Sequence, residues 1–285
     1  MPNATTIRRI VGLAVLGALL GCDGAVAADT AGARVTAPTI AQDLHVVRLA
    51  RVLFSHHSIG ANILAGVEQL DAEHPGAGQL RLASAEVASA TPGPLLIDIS
   101  GGQNGAPQSK IDYFVATLDG ESRLKPDLAF MKFCYVDFNP HTDVDALFAA
   151  YRAAIDALKR THLEIRFAHV TVPLVVRPSG PKWALYRLIG HEVWEDVANA
   201  RRAEFNRRLK ETFPLDPIFD LATAEATAPD GKVTTFELGD ARYLSLFPGY
   251  AANDGEHLNQ DGQRVIGAAA VRFMAEALRV AGGAR

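Results

Sequence analysis

Beyond about Val46 the chain alternates short apolar or β-branched runs with longer stretches whose apolar residues recur every three or four positions. The runs from Arg51 to Phe54, Leu80 to Val87, Asp127 to Tyr135, Glu164 to Val172 and Pro217 to Asp220 predict strands. Each is short and apolar enough to be buried on both faces, as in a parallel sheet covered by helices. Val144, Leu147, Phe148, Tyr151, Ile155 and Leu158 fall on one face of a helix. Further helices are predicted from about Glu195 to Phe213 and from about Gln260 to Ala281. No internal repeat or low-complexity linker interrupts the alternation, which describes an α/β protein with a parallel sheet. The stretch from Arg177 to Lys182, followed by Trp183, Tyr186 and Trp194, breaks the pattern after a strand and reads as an insertion at the carboxyl edge of the sheet.

The first residues follow a different logic. Arg8 and Arg9 precede an apolar run from Ile10 to Leu20 with small residues after it, the layout of an export signal, and the run is short for a membrane span. Two processing sites compete: Leu19-Leu20-Gly21-Cys22 resembles a lipobox with Cys22 as the lipidated residue, and Ala25-Val26-Ala27 is an A-x-A site. Residues 1–27, or those before Cys22, are therefore expected to be a signal, 28–45 a flexible segment and 46–285 the folded domain. The expected location is periplasmic or secreted, with membrane contact only through an anchor on Cys22. With the signal removed after Ala27, Cys134 is the one thiol left; within an apolar run it reads as a small hydrophobe, and no disulfide is expected.

Composition narrows the partners. The 285 residues are 48% hydrophobic and 21% charged, which excludes a disordered chain, a disulfide scaffold and a polytopic membrane protein. With 28 basic against 32 acidic residues there is no cationic excess for a phosphate backbone, so a small uncharged molecule suits the chain better than nucleic acid.

Two segments carry candidate chemistry. The first strand runs into Ser55-His56-His57-Ser58-Ile59-Gly60 with a helix from about Ala61, which puts Ser58 beyond the carboxyl end of a strand and beside the positive end of a helix. Such a hydroxyl either caps the helix or serves as a nucleophile. Ahead of the last helix stands Asn253-Asp254-Gly255-Glu256-His257-Leu258-Asn259-Gln260-Asp261-Gly262. In a tight turn the three-residue spacing lets Asp254 reach one ring nitrogen of His257 and leaves the other facing outward as a base, which a nucleophilic serine requires. Otherwise Asp254 is a capping residue in a polar loop.

A serine after the first strand and Asp-x-x-His before the last helix resemble the SGNH, or GDSL, hydrolase superfamily. His56-His57-Ser58-Ile59 stands where that family has Gly-Asp-Ser-Leu, and DGEHLNQDG is close to its last block. The resemblance implies a three-layer α/β/α sandwich with a mostly parallel, flavodoxin-like sheet, Ser58 as nucleophile, His257 as general base and Asp254 as orienting acid. It implies cleavage of a carboxylic ester through an acyl-enzyme, without a cofactor, on a small-molecule or glycan ester. Ile99-Ser100-Gly101-Gly102 resembles the second block, so the N–H of Gly101, with Gly102 as the neighbouring option, joins that of Ser58 in the oxyanion hole. The third block, ending Tyr135-Val136-Asp137, puts Val136 where the family has a donating Asn. Loss of one oxyanion donor is worth roughly 3 kcal/mol. Asn104 is the candidate replacement; its other reading is a turn residue in Gly102-Gln103-Asn104-Gly105.

Two rivals come from other classes. His56 and His57, with Asp254 and His257, could ligate zinc or iron, although adjacent side chains in extended chain point to opposite faces. His57 reads otherwise as a support of the turn. Val136 supports a scaffold that keeps the triad and binds carbohydrate without turnover.

Overall fold

The computed structural model describes residues 37–282, except 77 and 121–123. The expected signal, Cys22 and residues 28–36 of the segment 28–45 lie outside the described residues.

Two packed layers flank a parallel sheet because its strands alternate strictly between two cores. Strand β1 (Arg51–Ser55) sends Val52 and Phe54 to one face and Leu53 to the other. On one side the core is closed by helices α1 (Ile40–Arg48), α2 (Ile59–Glu73), α8 (Leu221–Ala226) and α9 (Gln260–Gly282). On the other lie α3 (Ala85–Ala90), α4 (Pro107–Gly120), α5 (Val144–Thr161) and α7 (Trp194–Thr212). All six apolar positions predicted to share one face of α5 are buried, and the side chain of Asp143 caps its start.

Beside β1 the sheet contains β2 (Leu82–Ala83), β3 (Leu95–Ile99), β4 (Leu128–Met131) and β5 (Arg166–Phe167), in the order β2-β3-β1-β4-β5. After Ala168 the chain continues as β6 (His169–Val170), which pairs in parallel with β7 (Ile218–Phe219). The run 166–170 thus extends the sheet by one more strand. With the short β2 set aside, the order is the 2-1-3-4-5 of flavodoxin-like sheets, and it reverses between β1 and β4. Ser58, which follows β1, sits at that switch point, where the loops diverge and leave a crevice. An antiparallel hairpin, β8 (Thr235–Leu238) and β9 (Ala241–Leu244), lies apart from the sheet. No described helix is long and apolar enough to cross a membrane.

Several boundaries differ from those expected. Of the run Leu80 to Val87 only Leu82–Ala83 is strand; the Ser84 side chain caps α3, which takes the rest. The strand Leu95–Ile99 was not among those predicted. Asp127 to Tyr135 shortens to Leu128–Met131, and Glu164 to Val172 divides into β5 and β6. Pro217 to Asp220 keeps only Ile218–Phe219, since Asp220 caps α8. The segment expected to be flexible to residue 45 is helical from Ile40, with a Thr39–Gln42 capping box and a buried Asp43 whose carboxylate lies 2.7 Å from Arg279 on α9. The expected insertion after Val176 contains α6 (Pro181–Leu188), which buries none of its residues.

Helices α2 and α9 approach backbone to backbone. A Cβ on Gly66 would overlap the carbonyl of Gln263, and one on Gly267 would stand 2.6 Å from the Gly66 carbonyl carbon. Exchanging a helical glycine for alanine ordinarily gains up to about 1 kcal/mol. Here the added methyl meets main chain, which cannot rotate away, and overpacking costs about 1–3 kcal/mol. Gly66→Ala should therefore lower the unfolding free energy in urea, because the overpacking cost exceeds the propensity gain, with Gly267→Ala behaving alike. A more stable Gly66→Ala protein would show that the helices are not in contact there.

Candidate active site

The ladder of β1 runs on past its last residue: His56 donates its N–H to Ile99 O, and Lys132 donates to Ser55 O. The chain then turns at Ser58, whose φ of 50° and ψ of −103° are strained for a residue with a Cβ. Its side chain makes no capping bond, so the capping alternative fails. Instead Ser58 Oγ lies 2.8 Å from His257 Nε2.

The segment before α9 closes into a tight loop. Ala252 N–H donates to His257 O and Gly255 N–H to Ala252 O, with Gly255 at φ 75° where an ordinary side chain is disfavoured. Asp254 Oδ1 accepts the main-chain N–H groups of Glu256 and His257 at 2.9 Å each, and Oδ2 lies 2.7 Å from His257 Nδ1. A carboxylate can only accept, so Nδ1 carries the proton and Nε2 is left to accept from Ser58. The two main-chain donors, then the ring, pull the Asp254 carboxyl from its ordinary range to about 2. Asn259, not Asp254, caps the last helix, accepting from Gly262 N–H at 2.9 Å. Asn62, one turn into α2, accepts Leu258 N–H at 3.2 Å and ties the loop to the helix that follows Ser58. Val176 N–H donates to Gly255 O from the other side.

The two histidines before Ser58 part company. His56 is buried against Phe54, with Nε2 2.8 Å from Asp98 Oδ1. Burial pushes its ring below the ordinary histidine range. His57 Nε2 lies 2.8 Å from Gly101 O, and Ser100 Oγ is 3.2 Å from His57 Nδ1. With Nε2–H donating to Gly101 O and Nδ1 accepting from Ser100, the residue before the nucleophile holds the second-block loop. Neither histidine points toward a shared ion with Asp254 and His257, and no group of three or more His, Cys, Asp or Glu among the described residues could hold a metal.

Gly101 and Ser58 carry main-chain N–H groups without an acceptor among the described residues. The tightness around Gly101 and Gly102 explains why both are glycine: a Cβ on Gly101 would enter the Tyr113 ring, and Gly102 has φ 77° with Lys110 N 2.7 Å from where its Cβ would be. Asn104 is not bonded to the triad. Its Oδ1 accepts from Lys110 Nζ at 2.9 Å, and the same ammonium lies 2.6 Å from Asp137 Oδ2. Asp137 also accepts the N–H groups of Cys134 at 2.7 Å and Gly105 at 2.9 Å. Val136, just before Asp137, is 39% exposed, and its side chain offers no polar group. Cys134 is fully buried.

Sequence reasoning passed over Asn62, Lys110, Tyr135, Asp137 and Glu256. Only Glu256, a second carboxylate inside the Asp-x-x-His turn, left a local trace; the others act on partners far along the chain.

An α/β fold with a serine hydroxyl, an imidazole and a carboxylate joined in series at the switch point of its sheet has the layout of a serine hydrolase. No protein-family model and no curated protein matches this chain. Among solved structures it is similar to a protein of Parabacteroides merdae described as a GDSL-like lipase, at 14% identity and a TM-score of 0.49 over 81% of this chain and 97% of that one. It is also similar to a lipolytic protein of the G-D-S-L family from Desulfitobacterium hafniense, at 11% identity and 0.45 over 78% and 99%. A third is the acetyl xylan esterase AlAXEase, at 19% and 0.43 over 81% and 98%.

The Asp254 carboxyl should titrate near 2 by carbon-detected NMR. In His257→Ala its midpoint should rise only part of the way to the ordinary value, because the two main-chain donors, the largest causes of the shift, remain. A full return in that variant would mean that the ring, not the turn, holds the carboxylate.

Proposed function

We propose that this chain is a serine hydrolase of carboxylic esters. The series Ser58 Oγ to His257 Nε2 at 2.8 Å and His257 Nδ1 to Asp254 Oδ2 at 2.7 Å is the observation that carries the reading. Ser58 Oγ attacks the ester carbonyl while His257 Nε2 takes its proton, and Asp254 steadies the imidazolium so formed. The Ser58 and Gly101 N–H groups receive the oxyanion, with the Asn104 amide as third donor. When the tetrahedral adduct collapses, the C–O bond to the alcohol breaks, His257 returns the proton to it, and the acyl group stays on Ser58. Water attacks the acyl-enzyme by the same route and frees the acid. These steps use no cofactor.

The His257 and Asp254 side chains are 35% and 47% exposed, so a bulky alcohol can approach without first entering a closed cavity. That openness, with the export signal read from residues 1–27, favours an ester of the cell envelope or exterior, such as an O-acylated glycan. A second reading, a catalytically weak or carbohydrate-binding protein, is favoured by one observation, the exposed Val136 in the place of a donor.

Ser58→Ala should abolish hydrolysis of aryl esters and covalent labelling by an organophosphonate while leaving the unfolding curve nearly unchanged, since one part-buried oxygen is removed and no apolar core volume. Asp254→Asn should cost about 10⁴ in kcat by allowing the wrong tautomer. Labelling at another serine would end the assignment, and a wild-type protein that neither hydrolyses esters nor is labelled would favour the binding reading. Export is tested separately: mass spectrometry of the mature N-terminus should find either diacylglyceryl-Cys22 or a start at Ala28, and an intact Met1 in the secreting host would refute both.

A further inference from the structure

Asp254 and His257 lie in one four-residue turn, so their mutual bond orients the ring within the loop but cannot fix the loop against Ser58. We propose that Tyr135 and Glu256 supply that constraint as positioning residues, a tether from the end of the sheet to the catalytic loop. The inference rests on the triad reading of the preceding section.

Tyr135 opens the short 3₁₀ turn Tyr135–Asp137 after β4, and its main chain is held on both sides. Its carbonyl accepts from Arg202 Nη2 at 3.0 Å and Nε at 3.3 Å, and Arg202, itself buried, also reaches Phe138 O. On the other side Asp137 grips Cys134 N–H. The buried Tyr135 ring therefore projects from fixed backbone, and it meets His257 edge to face, with centroids 5.7 Å apart and planes at 87°. Beyond the ring the phenol donates to Glu256 Oε2 at 2.7 Å. Burial, then the Glu256 carboxylate, pushes the phenol well above the ordinary tyrosine range, so it remains a donor at any working pH. Glu256 in turn gives its main-chain N–H to Asp254 Oδ1. A continuous path of contacts thus runs from Arg202 through Tyr135 and Glu256 to Asp254, with the Tyr135 ring bearing on His257 along the way.

Neither the Tyr135 hydroxyl nor Glu256 gives or takes a proton in the proposed reaction, so loss of the tether should lower kcat and leave KM unmoved. A misplacement of 1 Å can cost about a hundredfold in rate, and a loop still held by Asn62 and Val176 should shift less. Tyr135→Phe keeps the ring and removes only the hydroxyl; it should lose about tenfold in kcat on an aryl ester with KM within about twofold. Glu256→Ala should lose as much, and the double variant no more than either, because one bond is deleted in each case. Glu256→Gln keeps an acceptor for the phenol and should recover most of the rate, which a packing role for Tyr135 does not predict. Proton NMR of the His257 Nδ1–H in the same proteins gives a readout independent of turnover: its exchange with water should quicken in Tyr135→Phe and Glu256→Ala, not in Glu256→Gln. Wild-type kcat and exchange in Tyr135→Phe would overturn the tether, as would additive losses in the double variant. Persistent hydrolysis in Ser58→Ala would instead overturn the nucleophile assignment, and the exchange rates would still decide whether the tether holds the loop.

Discussion

The contact between α2 and α9 at Gly66 and Gly267 fixes the separation on which the candidate site depends. Ser58 immediately precedes α2, and His257 stands three residues before α9. Two helices that meet through side chains can slide as those side chains change rotamer. Two that meet through main chain have no such slack, because a few tenths of an ångström either opens a void or forces overlap. Asn62 adds one directed bond at the working end, from the helix after the nucleophile to the residue after the base. The two helix ends that carry residues 199 positions apart are thus kept at one spacing by two glycines that touch neither of them, and the loop's own bonds place the ring within that frame.

Beneath the site runs a second order of constraint, made of buried charge. Lys110, Lys132, Asp137, Arg202 and Glu225 are all buried. Burial pulls Lys132 down to about 8 and Arg202 to about 10, and pushes Glu225 up to about 8. Each of these shifts records the cost of a charge removed from water, partly returned by its neighbours. The directed bonds matter more than the net energy: Glu225 accepts Leu174 N–H, Arg202 holds two carbonyls of the turn after β4, and Asp137 holds two N–H groups in different loops. Replacing these charges with apolar groups of like volume need not unfold the chain, but it would remove the anchors that give the crevice loops one arrangement.

The features legible in the sequence are those whose cause is local. The face of α5 is read from spacing alone, and the apolar run of β1 from composition. Ser58 and the Asp254–His257 pair are legible because a strand-to-helix turn and a three-residue spacing each imply their own geometry. β3 was missed because Asp98 interrupts its apolar run and Thr91-Pro92-Gly93-Pro94 ahead of it reads as loop; in the fold Asp98 lies beside His56 at the sheet end, where a carboxylate is tolerated. Helix α1 is short, and its buried Asp43 finds Arg279 236 residues later. The hairpin β8–β9 did carry a signal, Gly239-Asp240 between two runs, with Gly239 at φ 59°. Tyr135 and Glu256 are 121 positions apart, and no pattern along the chain joins them.

The same reasoning bears on the third donor of the proposed oxyanion hole. A third oxyanion donor has to present an N–H at a fixed place, and fixing an exposed amide requires that its oxygen be held. Lys110 does this for Asn104: an ammonium has no acceptor capacity, so it can bind only the amide oxygen and thereby turns the two N–H bonds away from itself. The buried charge also polarises the amide, which strengthens those N–H groups as donors. Lys110 is 2% exposed and reaches no substrate; its charge can act at the surface only through Asn104. In the proposed reaction the donor thus shifts from the turn after β4 to the loop after β3, where Gly101 already lies. Asp137, which binds Lys110 and both loops at once, keeps that loop in register with the strand ends on either side. Asp137 thereby holds Lys110, and through it the Asn104 amide oxygen, from behind.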